Sequence, residues 1–132
     1  MITLKALKYS IGIWSFMGII GIPLLVYFNL LNGWKWEYAS SSAIYDQMMV
    51  SIYFALGICL ARAVRIPEKH RSLIEFTILS SYFHGAVMLF HSLMMIEHRG
   101  HLCGDVWILF GAVSLHLVFW LDKRQNPERW SN

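Results

Sequence analysis

Residues 72–98 read SLIEFTILSSYFHGAVMLFHSLMMIEH, and the fold turns on how this stretch is read. It is almost wholly apolar and longer than the ~20 residues a helix needs to cross a bilayer. It also carries a polar line, because Thr77, His84, His91 and His98 recur every seven residues. Seven residues is nearly two helical turns, so the four side chains point to one side. Ser80, Ser81, Met88 and Met95 fill in the same stripe. A histidine turned toward acyl chains is costly, so the stripe is expected to face other helices, a cavity or a partner chain.

The rest of the composition agrees with a membrane reading. The chain has 132 residues, which implies one domain. It is 57% hydrophobic and only 14% charged, against about 25% charged in a typical soluble domain. So few charges would not cover that much apolar surface in water. The charges also cluster between apolar runs, as in polytopic membrane proteins. The net charge of +3 needs no nucleic acid, since the basic residues flank apolar runs where topology and anionic lipid account for them. Cys59 and Cys103 form no CxxC pair and are expected at different depths, which argues against a disulfide.

Four helices follow, over about 9–31, 44–64, 72–96 and 106–121, in a single transmembrane domain spanning 1–132. The first apolar run is too long for a signal peptide, and no convincing small-residue cleavage site follows it. Gly12, Ser15, Gly18 and Gly21 give it a small-residue face, and Pro23 is expected to kink it. Trp34, Trp36 and Tyr38 suit a headgroup-level loop. Tyr53, Gly57 and Ala61 are expected on the packing face of the second helix, which Pro67 brings to a stop. Asp122, Lys123 and Arg124 read as the end of the fourth. No internal repeat is evident.

With four crossings, Lys5, Lys8, Arg62, Arg65, Lys69, Arg71, Lys123, Arg124 and Arg129 fall on one side, against Lys35 and Arg99 on the other. That asymmetry predicts cytoplasmic N- and C-termini. The expected fold class is therefore all-α, an integral four-helix bundle of the inner (plasma) membrane.

Several chemistries can be weighed on this frame. At ~1.5 Å rise per residue, the outer half of the bundle collects Asp46, His91, Glu97, His98 and His101. Imidazoles and carboxylates suit a transition metal such as zinc or copper, and Met88 and Met95 would add soft sulfur. The strongest metal candidates are His91, His98, His101 and Asp46, although the His98–His101 spacing is interrupted by Gly100. Other polar candidates within or beside the membrane are His84, His116, Glu97 and Asp105. Haem is disfavoured because His84 and His116 are expected at different depths. Asp46, Glu75, His84 and His91 would make at best a broken proton relay, and Glu75 is explained as a helix N-terminal anion near Arg71. No nucleophile elbow, phosphate loop, dinucleotide fingerprint or HExxH is present, so the reading leans away from an enzyme. The leading expectation is an accessory or structural role: packing in or beside a membrane complex, with other membrane subunits or by self-association. The alternative is a metal- or small-solute-binding membrane protein using the outer His/Asp cluster.

The stretches YDQMMVSIYFALGICLARAVRIPEKHRSLIEFTILSSYFHGAVM (45–88) and HRGHLCGDVWILF (98–110) resemble a family of small bacterial four-helix membrane proteins of unknown function. The likeness covers about Tyr45 to Leu115. It rests on the acidic opening of the second helix, Ile52–Gly57, the Pro67–Ile74 turn, His84–Met88 and the His101–Val106 entry to the fourth helix. The resemblance brings no activity. It implies that Asp46, His84, His101 and Asp105 are the positions of first interest.

Overall fold

The computed structural model describes residues 2–27, 42–96, 99, 102 and 111–131, without the side chains of residues 2 and 42–46. All regular structure among the described residues is helical. The first rod runs through α1 (Ile2–Phe16), a π turn (Met17–Gly21) and α2 (Ile22–Tyr27). It starts seven residues before the expected Tyr9, because Lys5 and Lys8 are good helix formers rather than stop signals. The π turn is the form the expected disturbance at Pro23 takes. Proline has no N–H to give and its ring crowds the carbonyl four residues back. The turn before it is widened, and the Ile22 N–H reaches Met17 O instead.

The second rod, α3 (Ser42–Ala63), matches the expected 44–64 closely. It ends in a 3₁₀ turn, Pro67–His70. The opening stretch forms α4 (Arg71–Met94), stopped where Met95 turns to an extended backbone. The fourth rod, α5 (Ala112–Gln125), runs past the expected end at 121 and through the charged triplet Asp122–Arg124. A second 3₁₀ turn follows, Pro127–Trp130. The two turns share a short echo, PEKH and PERW, each with proline at its first positions. The expected end of the first helix at 31, the aromatic loop after it and the start of the fourth helix at 106 lie outside the described residues.

The rods alternate in direction. Lys8, early in α1, donates to Arg65 O just beyond α3 at 3.0 Å. Arg71, which opens α4, donates to Trp130 O beyond α5 at 3.3 Å. So α1 and α4 begin where α3 and α5 end. The first rod packs between α3 and α5, and α4 closes the ring against both. The core lies toward this shared end: Leu7 and Ile11, Leu60 and Ala63, Ile74 and Ile78, Leu115 and Phe119. Trp130 folds back into it and meets Phe119 edge to face at 5.0 Å.

Two features lock the rods together. In the first, Gly18 lies against α3. A Cβ there would stand 2.5 Å from Tyr53 O and 3.0 Å from Gly57 Cα, and one on Gly57 would stand 2.8 Å from Ile19 Cγ1. Ser15 Oγ donates to Gly57 O at 2.9 Å beside this contact. Of the expected small-residue face, Ser15 and Gly18 make it, while a Cβ on Gly12 would meet nothing within 4 Å. Ala61 is exposed rather than packed. The wide π turn brings Gly18 to α3 without a side chain to hold the backbones apart.

The second is a buried clasp on Asp122, whose exposure is 0%. Its carboxylate accepts from Thr3 Oγ1 at 2.8 Å, from Asn126 Nδ2 at 3.1 Å and from Trp130 Nε1 at 3.0 Å. Arg129 adds an ion pair, with one guanidinium nitrogen 2.9 Å from each oxygen. A buried carboxylate is tolerated only when paired and hydrogen-bonded, and here the whole donor set comes from α1 and the segment after α5. Asp122 does not simply end a helix at a solvated surface; it ties residues 3 and 130 to one point.

Candidate functional site

The polar line on α4 divides according to its neighbours. Thr77 is buried and donates back to Leu73 O of its own helix at 2.8 Å. His84 lies toward α3, where its Nδ1 is 2.8 Å from Tyr53 Oη and the two rings stack with centroids 6.3 Å apart. His91 is half-buried and packs edge to face on Phe90 at 5.6 Å. Two residues before His84, Tyr82 reaches the other way, with its Oη 3.1 Å from His116 Nδ1 on α5. The result is two phenol–imidazole bridges, one on each flank of α4. Of the stripe, His84 thus meets a neighbouring helix, while Thr77 bonds and His91 packs within α4 itself.

These bridges place His84 and His116 at different helix interfaces, each bound to its own tyrosine. Of the remaining candidates, Asp46 lies in α3 but its side chain is outside the description. Glu97, His98, His101 and Asp105 lie outside the described residues altogether. Among the described residues no three His, Cys, Asp or Glu side chains come together in a metal-holding group. Cys59 is a free, exposed thiol, and Cys103 is outside the described residues.

The Tyr82–His116 bridge forms the inner end of a groove of about 280 Å³ between α4 and α5. Its walls are Ile78, Leu79, Phe119 and Trp120, and its mouth is Glu75 with Lys123. Glu75 Oε1 is held by Arg71 at 3.0 Å and approached by Lys123 Nζ at 3.7 Å. The Lys123 ammonium also lies 5.9 Å from the Phe119 ring centre. Seven residues separate Glu75 from Tyr82, so the groove runs about 10 Å along α4. Charged groups thus guard one end, a hydrogen-bonded tyrosine–histidine pair the other, and hydrocarbon lies between.

Tyr82 and Lys123 had no place among the expected site residues. The available signal was the pairing of one tyrosine and one histidine on successive rods, Tyr53 with His84 and Tyr82 with His116. It became readable only once the helix registers were known. A hydrogen bond between side chains contributes about 0.5–1.5 kcal/mol net. Tyr82→Phe is expected to lower the unfolding free energy by an amount in that range, measured by SDS titration in mixed micelles. A change above ~3 kcal/mol would mean that the bridge is part of a larger network.

Fold and site together define a helical bundle with two rods, Thr3–Tyr27 and Pro67–Met94, long and apolar enough to cross a membrane. The chain belongs to DUF6632, a family of unknown function, whose pattern matches residues 3–127. The match runs through the first rod as well, beyond the Tyr45–Leu115 likeness legible in the residues. No curated protein and no solved structure matches the chain.

Proposed function

We propose that this is a multi-pass inner-membrane protein with both termini cytoplasmic, and that it is an accessory or structural component, packing through its helix faces with other membrane subunits or with copies of itself. Two observations support the membrane setting. Only 17% of the apolar window in Thr3–Tyr27 and 33% of that in Pro67–Met94 is buried, whereas the core helix of a soluble protein would be mostly covered. The Asp122 carboxylate is buried on its donors, and the His84 and His116 rings each bond a tyrosine of a neighbouring helix.

One observation carries the packing role. The outward face of α4 has a seven-residue repeat, with Phe76, Phe83 and Phe90 in one register and Leu79, Ala86 and Leu93 three residues on. All six are exposed, Phe83 to 72%. Lipid requires only that a face be apolar. A repeat spaced three and four residues apart is what a second helix needs to interlock along a seam. Extraction in mild detergent, followed by mass spectrometry of the intact assembly, is expected to give a species larger than one chain. Phe83→Ala with Phe90→Ala should break it down without unfolding the bundle. A wild-type protein that is a stable, solitary monomer under those conditions would refute the role.

A further inference from the structure

The α4–α5 groove joins three properties not required for holding the bundle together. First, the mouth anion Glu75 has two cations beside it, Lys123 in the groove lining and Arg71 just outside it. Glu75 already accepts from Arg71 at 3.0 Å, and Lys123 at 3.7 Å is only a loose second partner. The Lys123 side chain is 39% exposed, so its ammonium is available to a further anion. Second, the walls are hydrocarbon and aromatic, with Trp120 exposed at the rim. Third, the inner bridge retains one donor whichever way its proton lies. If Tyr82 donates to His116 Nδ1, the imidazole carries its hydrogen on Nε2; if His116 donates, the tyrosine hydroxyl proton is left over. An unmatched donor in apolar surroundings calls for an acceptor.

We propose that this groove binds one anionic glycerophospholipid from the leaflet beside the chain termini. Its phosphate lies at Lys123 and Arg71. An ester oxygen accepts from the Tyr82–His116 pair, and its acyl chains leave over the exposed Trp120. A soluble anion would have no use for the apolar walls. A zwitterionic lipid would bring its own cation to a mouth that already has one in excess, so headgroup charge is what the mouth selects. The proposal rests on the membrane reading above.

The test uses the full chain from carbonate-washed membranes, transferred to mild-detergent micelles doped with equal amounts of phosphatidylglycerol and phosphatidylcholine, with bound lipid counted by native mass spectrometry. About one phosphatidylglycerol per chain is expected, favoured at least tenfold over phosphatidylcholine. Lys123→Gln should reduce that retention about tenfold, and Lys123→Arg should restore it. His116→Gln should weaken both lipids by a similar factor, since both carry the ester. Lys69→Gln, an exposed lysine away from the groove, should leave retention unchanged. Equal retention of the two lipids, or equal losses in Lys69→Gln and Lys123→Gln, would overturn the site. Chain found in the carbonate supernatant overturns the membrane reading; chain that stays in the membrane but holds no phosphatidylglycerol overturns the groove alone.

Discussion

Asp122→Ala is expected to be the most damaging single substitution among the described residues, lowering the unfolding free energy by about 3–5 kcal/mol, the usual cost of removing one member of a buried ion pair. The change removes the acceptor for Thr3, Asn126, Arg129 and Trp130 at once. It also leaves the Arg129 guanidinium, only 24% exposed, without a counter-charge. Against a total stability of about 5–15 kcal/mol for a typical domain, that loss should show as a lower midpoint in SDS titration and a poor yield of folded protein. Asp122→Asn keeps the shape and one acceptor, so a smaller loss is expected. Adding Arg129→Ala to Asp122→Ala should cost less than the two singles combined, since the second removal takes away a charge already stranded. Glu128→Ala, in the same turn but exposed, should stay within about 0.5 kcal/mol. A loss below ~1 kcal/mol for Asp122→Ala would show that the clasp does not close the bundle.

The second large effect is expected at the helix crossing. Gly18→Ala would place a methyl 2.5 Å from the Tyr53 carbonyl and 3.0 Å from Gly57 Cα. Both neighbours are backbone, so the rods must separate, and the Ser15–Gly57 hydrogen bond is lost with them. Overpacking of this kind costs about 1–3 kcal/mol. Gly12→Ala, on the same rod with nothing within 4 Å, should act in the opposite sense. There alanine only reduces backbone freedom, a gain of about 0.5–1 kcal/mol. Unfolding midpoints for the two variants should therefore move apart. Equal shifts in one direction would mean that the Gly18–Gly57 approach is not a tight contact.

The two helices on either side of Pro67 are the most legible in the residues. α3 and α4 fall within two residues of the expected bounds, because Pro67 marks the turn between them and their few charges lie near the helix ends. The ends of the first and fourth rods were misplaced for one shared reason. Lys5, Lys8 and the Asp122–Arg124 triplet have the look of surface punctuation in a sequence, whereas helix continues through both. A charged residue looks the same in a sequence whether water or four donors surround it. Asp122 was thus hidden, since its partners lie 119 residues before it and up to eight after. The histidine stripe was visible by spacing, but which tyrosine each imidazole meets depends on the relative rotation of three helices. The fourfold outer cluster of Asp46, His91, His98 and His101 rested on depth alone, and of its side chains only His91 is described.

The Asp122 clasp also sets an order on biogenesis. Thr3 emerges early from the ribosome, yet its acceptor and the donors Arg129 and Trp130 that complete the knot are made more than a hundred residues later. Synthesis proceeds from the N-terminus at about 5–20 residues per second, so the leading rod must wait several seconds for its far partner. During that interval its glycine-lined flank has only α3 as a mate. Any factor that shelters the nascent chain would have to release it after translation has passed Trp130, and a pause in elongation before that codon should leave an open, protease-sensitive intermediate.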